Sequence, residues 1–167
     1  IPPGGTYKFE PDFGRIFQQD EIFQNWRGHI INNSLFIEEQ IDEVISKIFF
    51  KENNEKSAQF RSILLSREFF TFMNKWKVLR DMLNSISPYK ERDYKQLKTD
   101  LLEIINIRDK FAHGKVTHLG DKGEKIILEY FSGEPKKEEV NENTIKDFIE
   151  LVKKCRDELR KITDELK

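Results

Sequence analysis

The spacing of apolar residues predicts that most of this chain is helical. Between residues 25 and 50 they recur every three or four positions, which places side chains on one face of an α-helix. The residues on this face are Ile30, Ile37, Ile41, Val44, Ile45 and Ile48. A shorter helix that begins at Asp12 would carry Phe13, Ile16 and Phe17 on one side. The pattern therefore predicts a long core helix preceded by a short, separate one.

The apolar residues in the middle of the chain predict two further helical segments. A polar stretch at 51–57 is followed by a third segment that starts near Phe60, and an apolar-rich segment covers residues 69–83. The sequence Ser85-Ile86-Ser87-Pro88 ends this segment, because proline disfavours helical geometry in the residue before it.

A fourth helix and a β-hairpin are expected next. The helix runs from about Glu91 to His113, and Gly114 is its natural C′ residue. The following residues show a two-residue period around a Gly-Asp-Lys-Gly turn at 120–123, which is typical of a hairpin. The alternating apolar residues are Ile126, Leu128 and Tyr130. We predict that this hairpin covers about residues 115–131.

The last helix is expected after the polar run 133–143, with its cap near Asn143 or Thr144. The predicted fold class is all-α, an up-and-down bundle of four to five helices with a small β-hairpin inserted before the last helix.

Residues 1–11 hold three prolines and two glycines, which predicts an extended N-terminal arm. Residues 12–167 are then one domain. The chain opens on Ile1 instead of methionine, so we treat it as a possible piece of a longer protein.

Composition excludes several classes of function. The net charge of −1 rules out a protein that coats nucleic acid through bulk charge, so any RNA contact must come from a local patch. The sequence has neither an apolar run of membrane-spanning length nor a signal peptide, which predicts a cytoplasmic protein without a membrane partner. The single Cys155 and the isolated His29 and His118 predict no metal site. Phosphate-binding glycine motifs are missing, so no cofactor is expected.

The stretch from Arg108 to His113 carries the strongest chemical signal. It places a permanent cation, the carboxylate of Asp109 and an imidazole in the last turns of an apolar helix. Arginine offers a fork of donors that matches phosphate, and histidine exchanges protons near neutral pH. This combination suits phosphodiester chemistry.

On a helical wheel Arg108 falls in the middle of the apolar face. Burying an unpaired guanidinium is costly, so Arg108 must meet a carboxylate, a ligand anion or a wet cleft. One alternative is a purely structural ion pair with Glu38, Asp42 or Asp109. His113 lies about 140° from Arg108 on an ideal helix, so the two converge only if the last turn frays. Asp109 and His113 form an i, i+4 pair, in which the carboxylate would hold the imidazole in one tautomer.

The sequence Arg108-Asp109-Lys110-Phe111-Ala112-His113, at the end of a helix in an all-α domain, resembles the signature of the HEPN superfamily (higher eukaryotes and prokaryotes nucleotide-binding domain). The signature reads Arg, then Asn, Asp or His, then three residues and His. The resemblance covers residues 25–166, including the pair Ile37-Glu38 in the long helix and the spacer hairpin. It assigns no subfamily.

The resemblance implies a metal-independent endoribonuclease that acts on single-stranded RNA. Two motifs would meet across a homodimer, and the RNA's own 2′-OH would attack the adjacent phosphorus. Arg108 would stabilise the phosphorane, His113 would shuttle the proton, Asp109 would orient both, and Glu38 would support Arg108 from the neighbouring helix. Such domains serve as toxins or defence effectors, restrained by a cognate antitoxin or regulatory protein. The alternative is a non-catalytic HEPN domain that acts as a regulator, nucleotide-binding module or assembly adaptor.

Overall fold

One helix, α1, forms the longest element of the structure and spans Phe13–Phe50. The structure is a computed structural model that describes residues 13–50, 54–120 and 124–166, so the predicted arm at 1–11 and the residue Asp12 lie outside the described residues. The prediction of two separate helices here is wrong. Phe23 is fully buried, as Ile30 and Ile37 are, so the apolar face continues toward the N-terminus without a break. At 1.5 Å per residue, α1 is about 57 Å long.

The segment after α1 is less regular than its sequence predicts. Helix α2 spans Asn54–Phe60 and leads directly into a π-helical turn at Arg61–Leu65. The predicted helix start near Phe60 is therefore wrong, because α2 begins within the stretch that was predicted to be a polar break and ends at Phe60. Helix α3 spans Phe72–Ser85, and the Thr71 side chain caps it by accepting a hydrogen bond from the Asn74 N–H. The predicted start near residue 69 is therefore a few residues too early.

Two more helices complete the helical part. After a short 3₁₀ turn at Tyr89–Glu91, helix α4 spans Lys95–His113 and ends at the residue that the sequence predicts. Helix α5 spans Glu142–Glu165. It starts just before the predicted cap, because the Asn141 side chain accepts hydrogen bonds from the N–H groups of Asn143 and Thr144.

A three-stranded antiparallel sheet lies between α4 and α5 in sequence, where a two-stranded hairpin was predicted. Strands β1 (Lys115–Leu119), β2 (Lys125–Ser132) and β3 (Glu134–Val140) are arranged in the order β1-β2-β3. Strand β3 falls in the run that the sequence suggested was a polar connection. Ion pairs from β3 to β2 accompany this pairing: Lys137 Nζ lies 2.6 Å from Glu129 Oε1, and Lys125 Nζ lies 2.8 Å from Glu139 Oε2. The fold is mainly α-helical with this small sheet before the last helix.

The core is formed where α1 packs against α3, α4 and α5, and β2 adds Ile126 and Leu128 to it. Gly114 joins α4 to β1 at the edge of this core. Its backbone is extended (φ −73°, ψ 148°), so it does not adopt the left-handed conformation typical of a C′ glycine. Within the described ranges, no helix combines the length and the apolar character of a membrane span.

Candidate functional site

Arg108 emerges at the edge of the core without being enclosed by it. Its side chain is 33% exposed, and its Nη1 atom donates to the Asp109 carboxylate at 2.8 Å. Asp109 is itself half exposed. Exposed ion pairs of this kind contribute little to stability, about 0–1 kcal/mol. The guanidinium is therefore held by a partner that it can exchange at low cost.

Glu38 does not pair with Arg108, contrary to the expectation from the sequence. The Glu38 carboxylate lies 2.8 Å from the ammonium of Lys75 on α3. Glu38 and Arg108 nevertheless line the same cleft, a space of about 290 Å³ whose walls also include Arg67, Thr71 and Lys75. We call this space the Arg108 cleft.

Lys75 forms the centre of a buried charge cluster beside this cleft. It is 5% exposed, and its ammonium lies 2.8 Å from both Glu38 Oε1 and Asp42 Oδ2. Burial acts to lower the pKa of Lys75, but the hydrogen bonds to Asp42 and Glu38 outweigh it and leave this pKa above its usual value. Burial also raises the pKa of Asp42, against the influence of Lys75. The cluster therefore keeps a charged lysine between two carboxylates.

Lys75 was not among the predicted site residues, although the sequence carries a usable signal for it. Lys75 lies on the apolar face of α3 with Phe72, Leu79 and Met82, at the same helical spacing that singled out Arg108 on α4. A lysine in the middle of an apolar face requires a carboxylate partner for the reason that an arginine does.

His113 lies at the exposed end of α4 and opens into a second cleft. This space, the His113 cleft, has a volume of about 670 Å³ and is also lined by Asp109, Lys110, Tyr130 and Lys136. No side chain in the described part of the chain hydrogen-bonds to the imidazole of His113. The expected pair between Asp109 and His113 is not formed; Oδ1 of the Asp109 carboxylate accepts from Arg108.

Neighbouring contacts fix the end of α4 that carries His113. The Lys110 ammonium binds Glu138 on β3 at 2.9 Å and lies 4.8 Å from the centre of the Tyr130 ring. On the opposite side Arg27 Nη2 donates to the carbonyl oxygen of Gly114 at 2.9 Å. The sheet and α1 thus hold the last turn in place, and fraying does not bring His113 toward Arg108.

Arg108 and His113 therefore line two different clefts of one chain, and Asp109 lines the His113 cleft. One chain offers a phosphate-binding cation at one cleft and an exposed proton carrier at the other. A single phosphate that contacts both groups requires either movement of the Arg108 side chain or a second copy of the motif.

His118 and Cys155 have structural surroundings. The His118 ring contacts the side chains of Gln19 and Asp20 on α1, at 3.1 Å and 2.8 Å. Cys155 is fully buried, and burial raises the pKa of its thiol to about 12. Among the described residues no group of three or more His, Cys, Asp or Glu side chains is placed to hold a metal ion. No family model, curated protein or solved structure matches this chain.

Proposed function

We propose that this chain is a HEPN-type, metal-independent endoribonuclease that cleaves single-stranded RNA. The proposal includes the HEPN arrangement of an up-and-down helical bundle whose two copies form one site. The observation that carries it is the state of Arg108. This cation lies in the motif and at a cleft, and its partner is the exposed neighbour Asp109. Of the three partners expected for a purely structural ion pair, Glu38 and Asp42 are both bound by Lys75, and the pair formed with Asp109 is an exposed one that contributes little to stability.

The chemistry assigns one role to each motif residue. The 2′-oxygen of the RNA attacks the adjacent phosphorus and loses its proton to a base, and the 5′-oxygen leaves with a proton. The products are a 2′,3′-cyclic phosphate and a 5′-OH. His113 transfers protons in this reaction, a role typically worth about 10² to 10⁴ in rate. Arg108 stabilises the charge on the phosphorane oxygens. Asp109 holds Arg108 in position while no substrate is bound.

The test is cleavage of single-stranded RNA in the presence of EDTA. We expect that the wild-type protein cleaves, and that Arg108→Ala and His113→Ala each lower the rate by about 10² or more. Arg156→Ala is a matched control, because Arg156 forms the same kind of exposed pair with its neighbour Asp157 at 3.0 Å. His29→Ala is the control for an exposed histidine. If the controls also lose activity, or if the motif variants keep full activity, the roles assigned to Arg108 and His113 are wrong.

The composite site adds a requirement on oligomeric state. Because Arg108 and His113 open into different clefts of one chain, we expect a homodimer in which two motifs face one another. Light scattering at micromolar concentration measures this directly. A strictly monomeric protein that still cleaves RNA would refute the dimeric arrangement.

The same separation of Arg108 from His113 favours one alternative, a non-catalytic HEPN domain that serves as a regulator, nucleotide-binding module or assembly adaptor. In that case Arg108 stays paired with Asp109 and no RNA is cleaved. A toxin or defence role, and restraint by an antitoxin or regulatory protein, belong to the catalytic proposal. Cleavage by the wild-type protein decides between the two.

A further inference from the structure

The buried cluster of Lys75, Glu38 and Asp42 lies outside the Arg108–His113 motif, yet it borders the cleft into which Arg108 opens. Lys75 and Glu38 both line the Arg108 cleft, whereas Asp42 does not and lines a separate space with Arg61. One ammonium therefore serves two carboxylates, at 2.8 Å each, and only one of these carboxylates shares a cleft with Arg108.

Glu38 is the carboxylate of this cluster that lines the same cleft as Arg108. Glu38 is only 18% exposed, so its carboxylate needs a cation close by. If Lys75 were absent, a guanidinium in the same cleft would be drawn to Glu38. Arg67, the other guanidinium in the cleft, already donates from Nε to the carbonyl oxygen of Ile63 at 3.0 Å. Arg108 is held by an exposed ion pair, which it can exchange at low cost.

We propose that Lys75 is a positioning residue for Arg108: by binding Glu38 it prevents Arg108 from pairing with that carboxylate, and so leaves the exchangeable contact with Asp109 as the one that a phosphate group must displace. The effect of Lys75 on RNA cleavage rests on the proposed function. The effect of Lys75 on the accessibility of Arg108 does not depend on that function.

Two double variants separate this role from a general contribution to stability. Both start from Lys75→Met, which removes the ammonium and keeps an apolar stem of similar length. Lys75→Met/Glu38→Gln then removes the Lys75-bound carboxylate that lines the Arg108 cleft, and Lys75→Met/Asp42→Asn removes the Lys75-bound carboxylate that does not line it. Each variant loses one cation and one partly buried carboxylate, so a purely structural role predicts similar behaviour for the two.

The readout that needs no activity is the rate at which phenylglyoxal modifies Arg108, followed by mass spectrometry of the modified peptide. We expect Lys75→Met and Lys75→Met/Asp42→Asn to slow this modification on the order of fivefold, the effect of a modest ion pair. Lys75→Met/Glu38→Gln is expected to restore the wild-type rate. Circular dichroism confirms the fold of each variant, and if Lys75→Met alone does not fold, the comparison of the double variants still decides.

Equal modification of Arg108 in the two double variants would overturn the proposal. RNA cleavage gives the second readout, in which only Lys75→Met/Glu38→Gln is expected to regain activity. If the wild-type protein cleaves no RNA, the proposed function fails, but the modification rates still test Lys75. If cleavage follows stability instead of the identity of the removed carboxylate, Lys75 has only a structural role.

Discussion

Replacement of Gly114 by alanine should destabilise the protein, although the backbone angles at this position suit any residue. A Cβ atom at Gly114 would lie 2.4 Å from the carbonyl oxygen of Lys110 and 2.5 Å from Cδ1 of Leu128. The first contact cannot be relieved easily, because the same carbonyl accepts the Gly114 N–H at 2.7 Å. The second contact would displace the side chain of Leu128 on β2, which is fully buried. The methyl group therefore forces apart the end of α4 and the sheet.

The size of this effect follows from two opposing contributions. Overpacking a well-packed site typically costs about 1–3 kcal/mol. Alanine also restricts the unfolded chain more than glycine does, which returns about 0.4–1 kcal/mol. We expect Gly114→Ala to lower the free energy of unfolding by about 1–2 kcal/mol, measured by urea denaturation followed by circular dichroism.

Gly28→Ala is the matched control, with an effect of opposite sign. Gly28 lies inside α1, and a Cβ atom there would meet nothing within 4 Å. Alanine is favoured over glycine in a helix interior by about 0.5–1 kcal/mol, so this variant should be more stable than the wild type. A Gly114→Ala protein that is as stable as the wild type, or stabilised to the same degree as Gly28→Ala, would refute the packing described here.

Three further predictions follow from the core and the caps. Asn141→Ala removes the N-cap of α5 and should lower stability by about 0.5–2 kcal/mol in thermal unfolding, and an unchanged melting temperature would contradict this. Phe111→Ala removes a buried ring that is stacked 5.5 Å from that of Phe23 and should cost about 3–5 kcal/mol in urea denaturation, whereas a loss below about 1 kcal/mol would show a looser core. Cys155, whose thiol has its pKa raised to about 12 by burial, should react with a disulfide reagent only in denaturant, and rapid reaction of the native protein would disprove its burial.

The elements that could be predicted from sequence are those whose side chains report burial directly. The apolar face of α4 ends at His113, and a glycine follows, so the end of this helix was predicted correctly. The sequence Glu134–Val140 gave no such signal, since only its last residue is buried. It forms a strand through backbone pairing with β2 and through cross-strand ion pairs, and these depend on a partner that local periodicity does not show.

The candidate site shows the same limit. The place of Arg108 on the helix predicted that it needs an anionic partner, and in the structure this partner is Asp109. Which carboxylate remains available depends on Lys75, whose helix crosses α1 at Glu38 and Asp42. Helix-to-helix packing of this kind is not encoded in the spacing of either helix alone. The separation of Arg108 and His113 into two clefts likewise required the structure.

The proposed cleavage of RNA through attack of the 2′-OH can be tested with two single-stranded oligonucleotides of one sequence. One carries ribose throughout, and the other carries 2′-O-methyl groups, which remove the nucleophile and keep the bases and phosphates. Both are incubated with the wild-type protein in EDTA, and the products are identified by mass spectrometry. We predict that only the ribose strand is cleaved and that its fragments end in a 2′,3′-cyclic phosphate. Two intact strands, or cleavage of the 2′-O-methyl strand, would contradict the proposed function.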